Sequence, residues 1–309
     1  MQYRPALLDY TLCRGGVEVQ TNKGTFFAGA LLLAIGHSAR DTFETLLHHP
    51  LCIEPKPFSV GVRIAHLRED IDRALYGDHA GHPALGAGEY SLSDTTTGRG
   101  VYTFCMCPGG EVVVAASEEG GVVVNGMSYH ARNGRNSNAA VAVTVTPADV
   151  GGDVRAAIRF QRGLERAAFA AGGGDYVAPV ETVGDFLGTY AATKPTRVQP
   201  TYGGGRVRVA NLNDIFPPFV RDTLALGLRS FGRKLSGFDA PDAVLTGVES
   251  RTSSPLRILR GEARTAVGED LVYPVGEGAG YAGGITSAAL DGLHTAMCLM
   301  ARFAPCRGE

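Results

Sequence analysis

A glycine-rich turn near the C-terminus carries the clearest chemical signal in the sequence. It follows an apolar run at residues 271–275 and precedes a helical pattern from about residue 284. Glycines let backbone N–H groups converge without interference from Cβ atoms, and the N-terminus of a helix adds unpaired donors and the positive end of its dipole. This combination favours a pyrophosphate or the negative charge of a reduced cofactor ring. The predicted ligand-contacting residues are Gly276, Glu277, Gly278, Gly280, Tyr281, Gly283, Gly284 and Ile285.

The same turn contains a literal G-x-G-x-x-G at Gly278, Gly280 and Gly283. In a dinucleotide-binding fingerprint, however, that motif opens a βαβ unit with a second parallel strand and an acidic residue about 20 residues later. Here the predicted helix extends to about residue 303 of 309. We therefore interpret the turn as a closing strand–glycine–helix unit. The alternative is a tight β–α turn that only packs against a sheet.

Cys105 and Cys107 form a C-x-C pair within a predicted strand. Residues i and i+2 of a strand face the same side, with Cα atoms roughly 6.5 Å apart, close to the upper limit for a disulfide. This spacing makes a redox role conceivable. The alternative interpretation is two small buried apolar residues beside a proline turn.

Charged residues supply further candidates for catalysis. Glu118 and Glu119 precede two glycines and could transfer protons, although such a run is more often a solvated turn. Arg251 and Arg257 flank a Thr-Ser-Ser-Pro segment. Arg251 is the stronger candidate because an arginine there could stabilise negative charge on a reduced cofactor or bind a substrate carboxylate. A surface salt bridge is the alternative.

The elements that position these residues indicate a mixed α/β fold. A β-hairpin at 15–35 leads into the apolar run 30–35, which is typical of a parallel strand covered on both faces. Ser38 is the predicted cap of a helix over 39–48, with Asp41 in its first turn. Residues 193–213, rich in proline and glycine, predict a surface excursion. The other predicted strands are 57–64, 101–106, 111–117, 140–146, 243–250, 256–260 and 271–275, and the other helices are 67–76, 153–171, 217–230 and 284–303.

Composition narrows the classes of function. The net charge of −2 offers no basic surplus for nucleic acid, and no apolar run reaches the roughly 18 residues of a membrane span. The N-terminus lacks a signal-peptide pattern, so we expect a cytoplasmic protein. The six cysteines show no framework spacing, and the eight histidines form no metal-binding motif. Glycine, with 42 of 309 residues, is roughly twice its usual share of about 7%.

Several motifs resemble those of known flavoproteins. Residues 274–285 resemble the final FAD-contacting motif of the glutathione-reductase-like superfamily, and residues 33–38 are similar to its short Ala-Thr-Gly motif. More narrowly, the chain resembles a family of uncharacterised bacterial NAD(FAD)-utilising dehydrogenases. That resemblance rests, in the family's order, on residues 36–43, 55–58, 102–110, 116–121, 184–187 and 247–255.

The resemblance implies an FAD-dependent oxidoreductase, with NAD(P)H as a candidate electron donor and a small-molecule substrate that the sequence does not identify. It places Gly36, His37 and Ser38 beside the cofactor, although a lone histidine at a strand end is more often structural. The implied architecture is an incomplete FAD/NAD(P)-binding Rossmann-like domain, from residues 1–55 and 251–309, with an inserted mixed-sheet substrate domain at 56–250.

One departure from the family opens alternatives. The family begins with a strand–G-x-G-x-x-G–helix segment that holds the FAD pyrophosphate, and no such fingerprint lies between Met1 and Gly36. Either the chain is truncated, or another polypeptide supplies the nucleotide-binding half. Two other hypotheses remain open: a non-catalytic remnant that binds a partner, and a thiol–disulfide protein that uses Cys105 and Cys107.

Overall fold

The computed structural model describes residues 6–303, which divide into two compact units. Unit 1 combines the residues up to 58, residues 146–158 and the residues from 253 onward. Unit 2 combines residues 59–145 and 159–252. Unit 1 is therefore assembled from segments that are distant in sequence.

Short strands predominate along the chain, and longer helices separate some of them. The strands are β1 (Leu7–Cys13), β2 (Gly16–Thr21), β3 (Gly24–Ala28), β4 (Leu31–Leu33), β5 (Ile53–Pro55), β6 (Phe58–Leu67), β7 (Ser93–Asp94), β8 (Val101–Cys107), β9 (Gly110–Val114), β10 (Val124–Ser128), β11 (Asn136–Val145), β12 (Ala178–Thr182), β13 (Val207–Val209), β14 (Val244–Glu249), β15 (Leu256–Ile258) and β16 (Val272–Pro274). The α-helices are α1 (Arg40–Leu46), α2 (Arg68–Tyr76), α3 (Val154–Ala171), α4 (Val183–Leu187), α5 (Pro218–Lys234) and α6 (Ile285–Arg302).

A seven-stranded mixed sheet forms the centre of unit 2. Its strand order is β13-β12-β14-β6-β11-β8-β7, with β12 and β13 parallel and β12 and β14 antiparallel. The central strand β6 is buried at every position from 58 to 66. Both faces of this strand are therefore covered, and its buried positions include the polar residues Ser59, Arg63 and His66. The sheet and its helices confirm the predicted mixed α/β fold.

Residues 193–213 correct one prediction in unit 2. They were expected to form a surface excursion, yet β13 within them pairs with β12, and Val198 and Tyr202 are 1% and 0% exposed. A strand of three residues is too short to show periodicity, so the prolines and glycines dominated the pattern.

Unit 1 contains three small sheets around a common apolar cluster. Strands β1, β2 and β3 form an antiparallel meander, β5 pairs with β15 antiparallel, and β4 pairs with β16 in parallel. The cluster includes Leu33, Phe43, Leu256 and Val272, each at most 1% exposed. The parallel pairing predicted for the strand after the hairpin is therefore confirmed.

Two details at β4 and α1 differ from the prediction. The strand is not covered on both faces, because Leu32 is 45% exposed while Leu33 is buried. Among the described residues, β16 is the one strand that pairs with β4. The predicted cap of α1 was also wrong. Its N-cap is Ala39, without a side-chain cap, and the Ser38 carbonyl accepts a hydrogen bond from the Arg40 N–H at 2.9 Å.

Helix α6 follows the glycine-rich turn, as predicted, but its distribution of polar and apolar residues is unusual. Asp291 and Thr295 are its buried residues. Its exposed residues include the apolar Ile285, Leu290, Leu293, Met297 and Met300. Burying polar groups while apolar ones face outward reverses the usual pattern of a surface helix. None of the helices between residues 6 and 303 combines the length and apolarity needed to cross a membrane.

Candidate functional site

The two predicted glycine turns lie at the same edge of a parallel strand pair in unit 1. Leu31 is aligned with Val272 and Leu33 with Pro274, so β4 and β16 end together. Both turns begin with a glycine in the left-handed region, Gly36 at φ +70° and Gly276 at φ +77°. The two turns therefore leave their strands side by side, at the carboxyl edge where ligands bind in open α/β sheets.

The turns contact each other through their backbones. A Cβ atom on Gly278 would lie 2.3 Å from the carbonyl oxygen and 2.9 Å from the nitrogen of Gly36. Only glycine permits so close an approach. The side chains that follow also meet, because His37 Nδ1 lies 3.2 Å from Glu277 Oε1. The structure thus brings together two motifs separated by about 240 residues.

Asp291 of α6 holds the glycine-rich turn in place. Its Oδ2 accepts hydrogen bonds from the Gly276 N–H at 2.8 Å and from Arg260 Nη1 at 2.9 Å. Its Oδ1 accepts from Arg264 Nη1 at 2.7 Å. Burial alone would raise the pKa of Asp291, but these three donors hold it well below its usual value. A charged carboxylate therefore fixes the start of the turn.

Tyr281 is braced by arginines. The Arg260 guanidinium lies 3.7 Å from the ring centroid of Tyr281, and that of Arg257 lies 5.1 Å away. The Tyr281 hydroxyl accepts the Arg260 backbone N–H at 3.2 Å. These contacts hold the ring in cation–π geometry. Contact of Tyr281 with a cofactor stays a prediction, and the observed contacts fix the ring within the turn.

Open space lies over several of these glycines. A Cβ on Gly36, Gly283 or Gly284 would meet no atom within 4 Å. Ile285 is 93% exposed and the next residue of α6 is exposed as well, so the start of the helix faces solvent. Bare backbone beside open space fits a ligand that approaches the main chain closely.

Lys56 adds positive charge near this edge. It follows β5, and its backbone N–H donates to the Pro255 carbonyl at 2.9 Å. Burial and the neighbouring charge of Arg257 lower the pKa of Lys56, while Glu277 acts in the opposite direction. Two cations therefore lie near the carboxylate that follows Gly276, and an anionic ligand would relieve their mutual repulsion.

Sequence reasoning missed the residues that support this site. Asp291, Arg260 and Arg264 carried no motif, because their spacing becomes meaningful only when α6 packs beside the turn. Lys56 stood within the quoted segment 55–58, but the sequence assigned it no role. Its proximity to Arg257 and Glu277 follows from the pairing of β5 with β15.

Arg251, another predicted site residue, lies in unit 2, where its guanidinium is hydrogen-bonded to protein side chains. Its Nε and Nη2 atoms donate to the two carboxylate oxygens of Glu165 at 3.0 and 2.8 Å, and Nη1 donates to Ser117. The two charged side chains are 5% and 1% exposed. The bidentate pair is buried, so Arg251 does not form the surface salt bridge that the sequence left as the alternative, and its contact with a cofactor stays a prediction.

Glu118 and the two cysteines also lie in unit 2. Glu118 accepts two hydrogen bonds from Arg162, at 2.9 and 2.8 Å, so it is not a simple solvated turn residue. Cys105 is exposed and Cys107 is buried, and both are free thiols. Among residues 6–303, no cluster of three or more His, Cys, Asp or Glu could hold a metal ion.

A second titratable cluster in unit 1 had no signal in the sequence. Tyr10 donates a short hydrogen bond to Glu269 and stacks on His49, whose ring centroid lies 4.0 Å away. His49 Nε2 lies 2.8 Å from Asp9 Oδ1. These residues line a cavity of about 690 Å³. Burial, and then the bond to Glu269, raise the pKa of Tyr10, so its phenol stays protonated.

The comparisons with known proteins define the class. The model of a family described as "FAD-dependent protein, C-terminal domain-like" matches residues 57–252, more than half of the chain. This protein belongs to that family. A relative described as "Uncharacterized protein", from Clostridium beijerinckii, is 46% identical over 277 residues, which cover 89% of this chain and 52% of the relative. The chain therefore spans about half the length of that relative.

A solved structure was also found, "Crystal structure of CtdE in complex with FAD". The match has a TM-score of 0.28 and 9% identity, and covers 89% of this chain and 48% of the other. A similarity this low does not define a shared fold.

Proposed function

We propose that this chain forms one part of an FAD site in a flavin-dependent oxidoreductase. The observation that carries the proposal is the contact between the turns after β4 and β16. These turns place bare glycine backbone and a helix N-terminus at the carboxyl edge of a parallel strand pair. Lys56, which follows β5, lies near Glu277, and Arg257 of β15 lies beside Gly280. Ligands of open α/β sheets bind at that edge, and membership of an FAD-dependent protein family supports FAD as the ligand.

The residues present fit an electron-accepting, partly anionic group. Gly36, Gly283 and Gly284 leave room for close approach to the backbone. Lys56 and Arg257 would counter the negative charge that reduction adds, and the exposed N–H groups of the first turn of α6 would do the same. Bound FAD would supply hydride or electron transfer, while these residues bind it and orient it.

We propose further that a strand–glycine–helix segment outside this chain completes the site. Three observations support this second step. Strand β4 has β16 as its one partner among the described residues, Leu32 within it is 45% exposed, and α6 has an apolar outer face. A two-stranded parallel sheet is too small to be stable alone, so an added strand and helix would cover this surface. The relative is about twice as long as the matched region.

The family resemblance also suggests an electron donor and a class of substrate for the proposed oxidoreductase. We propose NAD(P)H as the donor and a small molecule as the substrate. Oxidation of NAD(P)H followed at 340 nm, with and without FAD, tests the donor.

Binding of FAD is the first test. The chain is titrated with FAD, following quenching of flavin fluorescence and the absorption band near roughly 450 nm. The titration is repeated with the part of the Clostridium beijerinckii relative that lies outside the match. We expect weak binding by the chain alone and tighter binding in the mixture. Absence of binding in both titrations would contradict the proposal.

A matched pair of variants locates the site. Gly283→Leu places a side chain in the open space of the proposed site. Gly261→Leu places the same side chain in equally open space elsewhere in unit 1, since neither position has a Cβ neighbour within 4 Å. We expect Gly283→Leu to weaken FAD binding by at least tenfold, and Gly261→Leu to leave it unchanged. Equal effects of the two would place the cofactor elsewhere.

A further inference from the structure

The Cys105–Cys107 pair of unit 2 lies at an irregular point of its strand. The register between β8 and β11 shifts between the pairs Cys107–Asn138 and Phe104–Ala140. Cys105 falls in that interval with φ +45°, in the left-handed region that side chains rarely adopt. Bulges and residues of positive φ recur at functional sites, because the surrounding structure must hold them in place. Here the irregularity places Cys107 Sγ 3.3 Å from the Cys105 carbonyl oxygen, so the two cysteines contact each other within one strand.

The two thiols differ in access. Cys105 is exposed, whereas Cys107 is 6% exposed, with its Sγ 3.3 Å from the Cys105 carbonyl oxygen. An accessible thiol backed by a buried second thiol is the arrangement required for a two-step exchange. Two buried structural cysteines, the alternative raised by the sequence, would not leave one sulfur in solvent.

A buried arginine is directed at this pair. The Arg63 side chain is 0% exposed, and its Nη1 donates to the Cys105 carbonyl at 2.8 Å and lies 3.9 Å from Cys107 Sγ. Its Nε is paired with Glu249 at 2.7 Å, and its Nη2 donates to Asn125 Oδ1 at 2.8 Å. Every arm of the guanidinium is therefore fixed, and a positive charge stays beside the sulfurs.

These contacts shift the pKa values of the two thiols in opposite directions. The hydrogen bond from Cys107, with the charge of Arg63, lowers the pKa of Cys105 to about 5. The hydrogen bond to Cys105, followed by burial, raises the pKa of Cys107. The accessible sulfur is thus a thiolate near neutral pH, and the buried sulfur retains its proton.

From this geometry we infer that Cys105 and Cys107 form a dithiol–disulfide exchange site for small, accessible disulfides. The Cys105 thiolate attacks one sulfur of R–S–S–R. The S–S bond breaks, RS⁻ leaves, and a mixed disulfide forms on Cys105. Cys107 gives its proton to the departing RS⁻ and attacks Cys105 Sγ, which releases the second RS⁻. The protein is oxidised by two electrons to the Cys105–Cys107 disulfide, and R–S–S–R is reduced to two thiols.

Oxidised glutathione is the probe. The reduced full chain is treated with it near neutral pH and analysed by mass spectrometry of the peptide that contains both cysteines. We expect a loss of about 2 Da, which corresponds to an internal disulfide, and no lasting glutathione adduct there. In Cys107→Ser we expect the mixed disulfide to persist on Cys105, and in Cys105→Ser no reaction at this peptide. An unchanged peptide in the wild-type chain, under conditions where exposed Cys13 becomes glutathionylated, overturns the inference.

Alkylation gives a second readout that needs no variant. At pH 6 a thiol of pKa about 5 is roughly 90% thiolate, whereas an ordinary exposed thiol is roughly 0.3% thiolate. The lower intrinsic nucleophilicity of the more acidic thiolate offsets about 40-fold of this advantage. We therefore expect Cys105 to react with iodoacetamide roughly tenfold faster than free N-acetylcysteine at pH 6, and more slowly than N-acetylcysteine at pH 9. A parallel pH dependence of Cys105 and N-acetylcysteine overturns the inference.

Discussion

The contact between Gly278 and Gly36 permits a precise test of the proposed site. In Gly278→Ala the new Cβ would lie 2.3 Å from the Gly36 carbonyl oxygen, about 1 Å closer than an ordinary carbon–oxygen contact. The obstructing atoms belong to the backbone and cannot rotate away, so the two turns must separate. That movement would also disturb the hydrogen bond from Ser254 Oγ to the Gly278 carbonyl at 3.1 Å. Overpacking of this kind costs about 1–3 kcal/mol, and we expect a value near 3.

The assay compares the free energy of unfolding in guanidinium chloride, together with hydrogen exchange at residues 31–37 and 272–280 to locate the change. Gly261→Ala is the control, because its Cβ meets no atom within 4 Å. We expect the loss of stability and of exchange protection only in Gly278→Ala, accompanied by weaker FAD binding. If both variants unfold within about 0.5 kcal/mol of the wild type, the turns are not packed as described.

Three further substitutions test other parts of the structure. Asp291→Asn removes the charge that fixes Gly276, and we expect thermal unfolding to show that the variant is about 3 kcal/mol less stable than the wild type. Because the pKa of Asp291 is depressed in the folded protein, this difference in stability should shrink as the pH falls below about 4. Burial raises the pKa of Glu181 from 4.5 to about 7, so the wild type should lose up to about 3 kcal/mol of stability as the pH rises through that range. Glu181→Gln should abolish this loss, as measured by denaturation at pH 5 and pH 8. Gly163→Ala, at an exposed position within α3 with open space around it, should raise stability by about 0.5–1 kcal/mol in the same denaturation assay.

Long periodic elements were readily predicted from the sequence. Helix α3 was expected at 153–171 and lies at 154–171, and α6 was expected at 284–303 and lies at 285–302. The glycine turns were recognised because glycine at positive φ leaves a local signal, and both Gly36 and Gly276 have that conformation. The family resemblance implied that both turns contact one cofactor, and the parallel pairing of β4 with β16 is what brings the two turns together.

Elements defined by tertiary contacts were not predictable in the same way. Strand β13 has three residues, too few for a period, and its hydrogen bonds to β12 are what define it. Asp291 is four residues from Thr295 on the buried face of α6, a face expected to be apolar. Its role depends on Arg260, 31 residues away. Likewise, the Arg63–Glu249 pair joins residues 186 positions apart, which no local pattern can show.

The divided layout of unit 1 affects how the chain is made. Strand β4 emerges from the ribosome early, but its partner β16 is synthesised roughly 240 residues later. At about 5–20 residues per second, that delay lasts roughly 10–50 s. Unit 2 has its final strand once residue 249 is translated and can fold first. During this delay the apolar segment Leu31–Leu33 lacks its partner strand β16. We therefore expect the yield of native protein to depend on chaperones that bind unfolded chains, and on the rate of translation, which low temperature slows.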